Sequence, residues 1–376
     1  MDPKLNPIIE LARGLAAWMV LTAHYSKLVI SGPSLLSFMW SGVDLFFVIS
    51  GFVFAPLLLS GGFALGPFAI RRLFRIYPLY LFSLLLYALM TPGDPSKPLY
   101  FVKHLLFLGT TESAREAFFF NPAYWSLPVE VEYYLALPLL AWLLRGRILW
   151  VVLLLVLFLG LRLVIVSGAT SFSAPDPNLL TIFRFHLPGI LIEFLVGVLL
   201  YWAYRRCNAT GGGRWPTAAL AAGVALWLVL ALFFAYRGDP GINASLLLRS
   251  YFSFLAALSY GLILFWMLMR VRCRGPLCMR IALTLGALSY GVYLLHILVL
   301  RLYEGSELDL PGPYAYLLCS AAVVALAGIA HVLIEQPMRD YGRALAARAR
   351  TPSGSEVVES RRLSDLGAGG RKLDKG

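Results

Sequence analysis

The chain has 376 residues, of which 59% are hydrophobic and only 14% charged, with a mean hydropathy of +0.75 and a formal charge of +12. Soluble domains carry about 25% charged residues, so this chain lacks the polar side chains to cover a water-facing surface of its own size. A soluble enzyme, a nucleic-acid binder and a secreted disulfide scaffold are excluded as primary readings. The fold class is an all-α polytopic membrane protein with about ten transmembrane helices and both termini cytoplasmic.

Apolar runs of roughly 20 residues cross a hydrocarbon core of about 30 Å. In chain order the predicted spans are 8–30, 38–60, 72–91, 124–144, 147–167, 181–203, 216–236, 247–269, 281–302 and 313–336. The first carries Glu10, Arg13 and His24, unlike a short signal-peptide core, so no cleavable leader is expected. The third has Arg75, Tyr77 and Pro78 in its first turns. Between the third and fourth, the polar stretch 91–122 contains the run Tyr100 to Leu108, too short to span, which lies at the interface or re-enters.

The arginines set the orientation. With the N-terminus inside, inner segments hold Arg71, Arg72 and Arg75, then Arg145 and Arg147, Arg205, Arg206 and Arg214, and finally Arg270, Arg272, Arg274 and Arg280. Outer segments are poorer or balanced, from Lys27 through a 167–181 loop whose one charge is Asp176 to the acidic Glu304, Glu307 and Asp309. Multi-pass residence in the plasma (inner) membrane follows as an expectation. A transmembrane domain over 1–344 precedes a basic cytoplasmic tail, 345–376, whose Ser, Gly, Arg and Lys content predicts disorder. Cys273 and Cys278 share a loop on the reducing side, so neither a disulfide framework nor a metal site is expected.

Charges inside spans are costly and mark function. Arg13 and His24 are eleven residues apart, about 20° past three full turns, so they face the same way roughly 16 Å apart along the axis. Counting about 1.5 Å per residue from the span ends puts His24, Asp44, Glu130 and His296 at one depth in the outer half. Arg13, Arg72, Arg75 and Glu335 fall near the cytoplasmic ends. Guanidinium forks suit a phosphate-bearing ligand; an imidazole beside carboxylates suits general-base work on a hydroxyl, with a carboxylate fixing its tautomer.

Each residue has a plainer alternative. Arg71, Arg72 and Arg75 serve as positive-inside anchors, and Glu335 with Arg339, or Glu10 with Arg13, form ion pairs along one helix. Asp44 hydrogen-bonds a neighbouring helix, and Glu132, about 200° from Glu130, is structural. Arg162, Arg184, His186, Glu193 and Arg249 lie in spans without an assigned role.

Six motifs in order resemble the acyltransferase-3 family of integral membrane O-acyltransferases. Arg13 and His24 match its arginine-x10-histidine motif; the string from Gly42 through Asp44, Ser50 and Gly51 matches the second span; Arg72 and Arg75 match the arginine-x-x-arginine motif. Trp125, Ser126 and Glu130 match the fourth-span signature, and Ser289, Tyr290, Tyr293 and His296, then Glu335 with Pro337, match the last two spans. Val131 departs from the second acidic residue common in relatives.

The resemblance implies that His24 is the catalytic centre, with Asp44 or Glu130 in support, and that Arg13, Arg72 and Arg75 bind the acyl-CoA. Trp125, Ser126, Tyr290, His296 and Glu335 are implied as supporting residues. It implies acetyl or another acyl group taken from acyl-CoA as co-substrate, with no bound cofactor, and placed on a hydroxyl of a cell-envelope or exported carbohydrate at the outer face. Membrane lipids, acyl-CoA and that carbohydrate are the expected partners. Because some members carry an extracytoplasmic hydrolase-like domain not found in this sequence, direct transfer or a separate extracytoplasmic transferase partner is expected. Two rivals stand beside this reading: a proton-coupled secondary transporter or flippase, against which no pair of Gly/Pro-broken spans is found in corresponding halves, and a non-catalytic scaffold whose charges bind helices together.

Overall fold

A computed structural model describes residues 6–60, 65–144, 146–171, 177–210 and 213–349, and among them the regular structure is helical throughout. Arg145, Asp176 and the tail beyond 349 lie outside the described residues. The first helices are α1 (Pro7–Val29), α2 (Leu35–Phe38), α3 (Gly42–Ser60), α4 (Leu65–Met90), α5 (Lys97–Leu105), α6 (Ala114–Phe118), α7 (Ser126–Leu144) and α8 (Ile148–Gly168). There follow α9 (Leu179–Arg184), α10 (Leu187–Ala209), α11 (Trp215–Asn243), α12 (Leu246–Arg270), α13 (Pro276–Glu304), α14 (Gly312–Ala330) and α15 (Gln336–Arg348). The last of these carries the chain past the expected boundary at 344.

Nine helical segments among the described residues are long and apolar enough to cross a membrane, and all ten expected spans are helical. The helix outside the nine is α1. Its 23 residues are enough to span, but Glu10, Arg13, His24 and Lys27 dilute its apolar character. It starts at Pro7, with the Asn6 side chain accepting from the Ile8 amide (2.9 Å), which satisfies one of the free N–H groups of a helix start. At the other extreme, α8 is apolar almost all round, yet Leu149, Val156, Leu157 and Val164 stand exposed. In water such a surface would aggregate; in hydrocarbon it is the correct exterior.

The chain forms two compact units, Met1–Phe63 with Tyr80–His331, and Ala64–Leu79 with Val332–Gly376. In the first, α1 packs along α13, α3 along α10, and α11 along α12. One continuous core joins Ile8, Ala12 and Ala16 of α1 to Val48 and Phe52 of α3 and to Ala256 and Tyr260 of α12. The α3–α10 crossing is close enough that a Cβ on Gly51 would lie 1.9 Å from the Phe194 carbonyl oxygen. Small residues at such crossings let membrane helices gain van der Waals contact. In the second unit Phe74 of α4 packs edge-on to Tyr341 of α15, with ring centroids 5.3 Å apart.

One expectation fails outright. Cys273 and Cys278 are joined by a disulfide, their Cα atoms 5.6 Å apart. The turn that opens α13 at Gly275 and Pro276 brings two cysteines five residues apart into bonding range, a local geometry that arguments from compartment alone do not reach.

The run after Tyr100 forms α5, capped by α6. His104 is buried, its Nε2–H donates to the Glu116 carbonyl (3.0 Å), and Lys103 pairs with Glu116 (3.0 Å). Burial pushes the His104 imidazole down to about 4; the Glu116 carbonyl opposes this and the Lys103 charge adds to it. The folded value thus lies below the unfolded value of about 6.5, so stability is complete above that pH and is lost as pH falls towards 4. Protection factors of the α5–α6 amides, with the intrinsic pH dependence of exchange divided out, are expected to fall across that window and to stay constant in His104→Gln, which keeps a donor without titrating. Equal acid sensitivity in the variant would contradict the assignment.

Candidate functional site

The site is built where α1 crosses α13. A Cβ on Gly286 would lie 2.2 Å from Glu10 Oε2 and 2.8 Å from the Glu10 Cα, so only glycine admits α1 at this distance. Glu10 is buried and pairs with Arg13 one turn along (3.0 Å). Towards the other end of the same crossing stand His24 and His296.

Their rings are 4.9 Å apart between centroids, with His296 Nε2 3.2 Å from His24 Nδ1. His24 Nδ1 is also 2.9 Å from the Val20 carbonyl oxygen, and His296 Nδ1 is 3.1 Å from that of Val292. A carbonyl oxygen only accepts, so both Nδ1 atoms carry the proton. His296 Nε2 is then an acceptor and shares the His24 Nδ1–H with Val20. That leaves His24 Nε2 with its lone pair and no partner among the described residues. His296 is fully buried, whereas His24 is only half-buried and so reachable.

Position 296 is held firmly. Tyr25 donates to the His296 carbonyl (2.8 Å), while Tyr87 and Asn121 both donate to the Leu294 carbonyl (3.0 Å each). Tyr293 donates to the Ala123 carbonyl (2.8 Å) and accepts from Ser126 (2.6 Å). Tyr25, Tyr87 and Asn121 were not singled out in the sequence, since neutral polar residues in spans are common and carry no charge signal.

The carboxylates expected beside His24 are elsewhere, and this corrects the expected support of its tautomer. Glu130 receives bonds from Tyr134 and from Ser50 (3.4 Å). Asp44, at the start of α3, lines a separate cavity with Arg162 and Glu193. Gly42, two residues before Asp44, lies against Ala16 and Met19 rather than His24, and Glu130 meets Ser50, six residues further along α3, so level and rotation together give both side chains other neighbours. The tautomer is set instead by a backbone carbonyl and a second histidine.

Other unassigned charges find structural partners. Arg162 and Glu193 form a buried ion pair, with Arg162 also donating to the Gly189 carbonyl (2.9 Å). Glu132 accepts from His186 and from the Leu187 amide (2.8 Å), capping the start of α10. Of the expected donor-binding arginines, Arg13 belongs to the first unit, and Arg72 and Arg75 to the second. There the Arg72 guanidinium lies over the Phe68 ring at 5.7 Å, and Glu335 pairs with Arg339 (3.4 Å) as the plainer alternative supposed. Trp125 lines the Asp44 cavity, and Tyr290 lies on α13 within two turns of His296. No group of three or more metal-ligating side chains occurs among the described residues.

A polytopic helical membrane protein with a paired imidazole between two of its helices is the class that fold and site define. The chain belongs to the acyltransferase-3 family: the family model, described as an acyltransferase domain, matches residues 6–332. It is therefore a membrane acyltransferase. It is also similar to a protein of Haemophilus influenzae described only as uncharacterized, at 29% identity over 42% of this chain and 74% of the relative. No solved structure matches.

If the α1–α13 approach holds the imidazole pair, Gly286→Val must push the helices apart. Overpacking of this kind costs about 1–3 kcal/mol, so thermal unfolding of the detergent-purified protein is expected at a lower temperature. An unchanged midpoint would show that the crossing tolerates the extra volume.

Proposed function

We propose that the chain is a plasma-membrane O-acyltransferase that moves an acyl group, in the first instance acetyl, from cytoplasmic acyl-CoA to a carbohydrate hydroxyl at the outer face. The single observation that carries this reading is the His24 ring: Nδ1–H is committed to Val20 and His296, and Nε2 is left with a lone pair and no partner among the described residues. A general base needs that atom in that state.

As the acceptor oxygen attacks the thioester carbonyl, its proton passes to His24 Nε2. The new C–O bond forms, the C–S bond breaks, and the departing thiolate takes the proton. His296 Nε2, a lone pair facing the Nδ1–H, stabilises the imidazolium in between, a task that carboxylates perform in hydrolase triads. An acyl group carried briefly on His24 would use the same lone pair. Arg13, Arg72 and Arg75 supply guanidinium forks matched to the CoA phosphates, and the arginine bias of the loops assigns them to the cytoplasmic side. The acceptor receives the group directly or through a separate extracytoplasmic partner.

The test is the O-acyl content of the surface glycan, read by NMR from cells carrying His24→Ala. Loss of the O-acyl signals at normal protein level is expected. Normal acylation would overturn the assignment.

A further inference from the structure

Asp44 has no hydrogen-bond partner for its Oδ2 although the residue is only 4% exposed, and Glu193 Oε2 is likewise unpartnered in a residue 1% exposed. Both lie in one cavity of about 180 Å³. Leaving a buried polar atom unsatisfied costs about 1–3 kcal/mol, more for a charged group, so two in one place point to a ligand that completes them. The cavity lies among the start of α3, the last turns of α8, the α9–α10 junction and the α11–α12 turn, at the helix ends that the arginine bias assigns to the outer face.

We infer that this cavity binds a neutral sugar ring, and, resting on the acyltransferase reading above, that it is the acceptor subsite. Three features select that ligand. Its carboxylates, Asp44, Glu193 and Asp239, are matched by three guanidiniums, Arg162, Arg184 and Arg249, so no net charge calls for an ion. Those six groups instead offer dense acceptors and donors, suited to a ring bearing hydroxyls on every side. Trp40 and Trp125 add aromatic surface for its apolar C–H faces. The volume suits one ring rather than an extended chain.

The wall is also joined to the imidazole pair. Trp125 is followed by Ser126, which donates to Tyr293 (2.6 Å), three residues before His296 on the same helix. Phe46, two residues after Asp44, packs edge-on to the Tyr293 ring at 5.6 Å. The segments that carry Asp44 and Trp125 thus also contact Tyr293, whose ring lies 6.2 Å from that of His296.

The experiment is saturation-transfer NMR on the detergent-purified full chain, with methyl glycosides of neutral hexoses, methyl glucuronide and inorganic phosphate as probes. Ring-proton saturation of at least one neutral glycoside is expected. Binding should weaken roughly tenfold in Asp44→Asn, which keeps the shape of the wall, and also in Asn243→Ala, an exposed rim position where misfolding is not at issue. No saturation of any neutral glycoside, preference for glucuronide or phosphate, or unchanged binding in both variants would overturn the inference. Transfer from acetyl-CoA, followed in the same preparation, separates the two readings. Normal transfer without sugar saturation sinks the cavity alone, and variant-sensitive sugar saturation without transfer supports the cavity while counting against the acyltransferase step proposed for His24.

Discussion

The approach of α1 to α13 is the constraint on which the chemistry depends. Gly286 removes the one side chain that would hold the helices apart at Glu10, and the same crossing lays two imidazoles edge to edge 3.2 Å apart between nitrogens. Within a helix a histidine can reach only its own backbone, here the carbonyl four residues earlier. That local bond fixes each tautomer. The crossing turns two ordinary helical histidines into a pair with one free nitrogen. A carboxylate in place of His296 would bring a buried negative charge needing its own counter-ion, whereas a neutral imidazole accepts the same hydrogen bond without one.

Charge is treated in two ways in this molecule. Where it serves structure, it is closed off: Glu132 on the start of α10, Lys103 with Glu116, Arg339 with Glu335. Where it is left open, at Asp44 Oδ2, Glu193 Oε2 and His24 Nε2, the open atoms belong to surroundings rich in aromatic rings. Membrane interiors penalise such groups strongly, so their position is better explained by ligands and chemistry than by packing. Ser126 and Tyr293 tie the start of α7 to α13.

The fold was legible because lipid demands long apolar helices, and nine of the ten expected spans are such segments among the described residues, with α1 helical but diluted by its charges. Depth was legible in part, since rise per residue is constant: His24 and His296 stand level, as counted, whereas Glu130 stands level with Ser50 rather than with Asp44. Rotation was not: the sequence does not say which way α3 and α7 turn, and Asp44 faces the cavity of Arg162 and Glu193 while Glu130 faces Ser50. The disulfide between Cys273 and Cys278 was missed for a similar reason, because it depends on a turn geometry. Arg162 and Glu193, 31 residues apart on different helices, gave no spacing signal at all.

The central claim is that His24 is held with its proton on Nδ1 and its lone pair on Nε2. Nitrogen-15 NMR of the protein labelled in histidine, with His24 assigned by its loss in His24→Ala, reads this directly at neutral pH. A protonated, pyrrole-like Nδ1 and an unprotonated, pyridine-like Nε2 are predicted, with the Nδ1 signal shifting in His296→Ala. The opposite tautomer, or a His24 spectrum indifferent to position 296, would contradict the account.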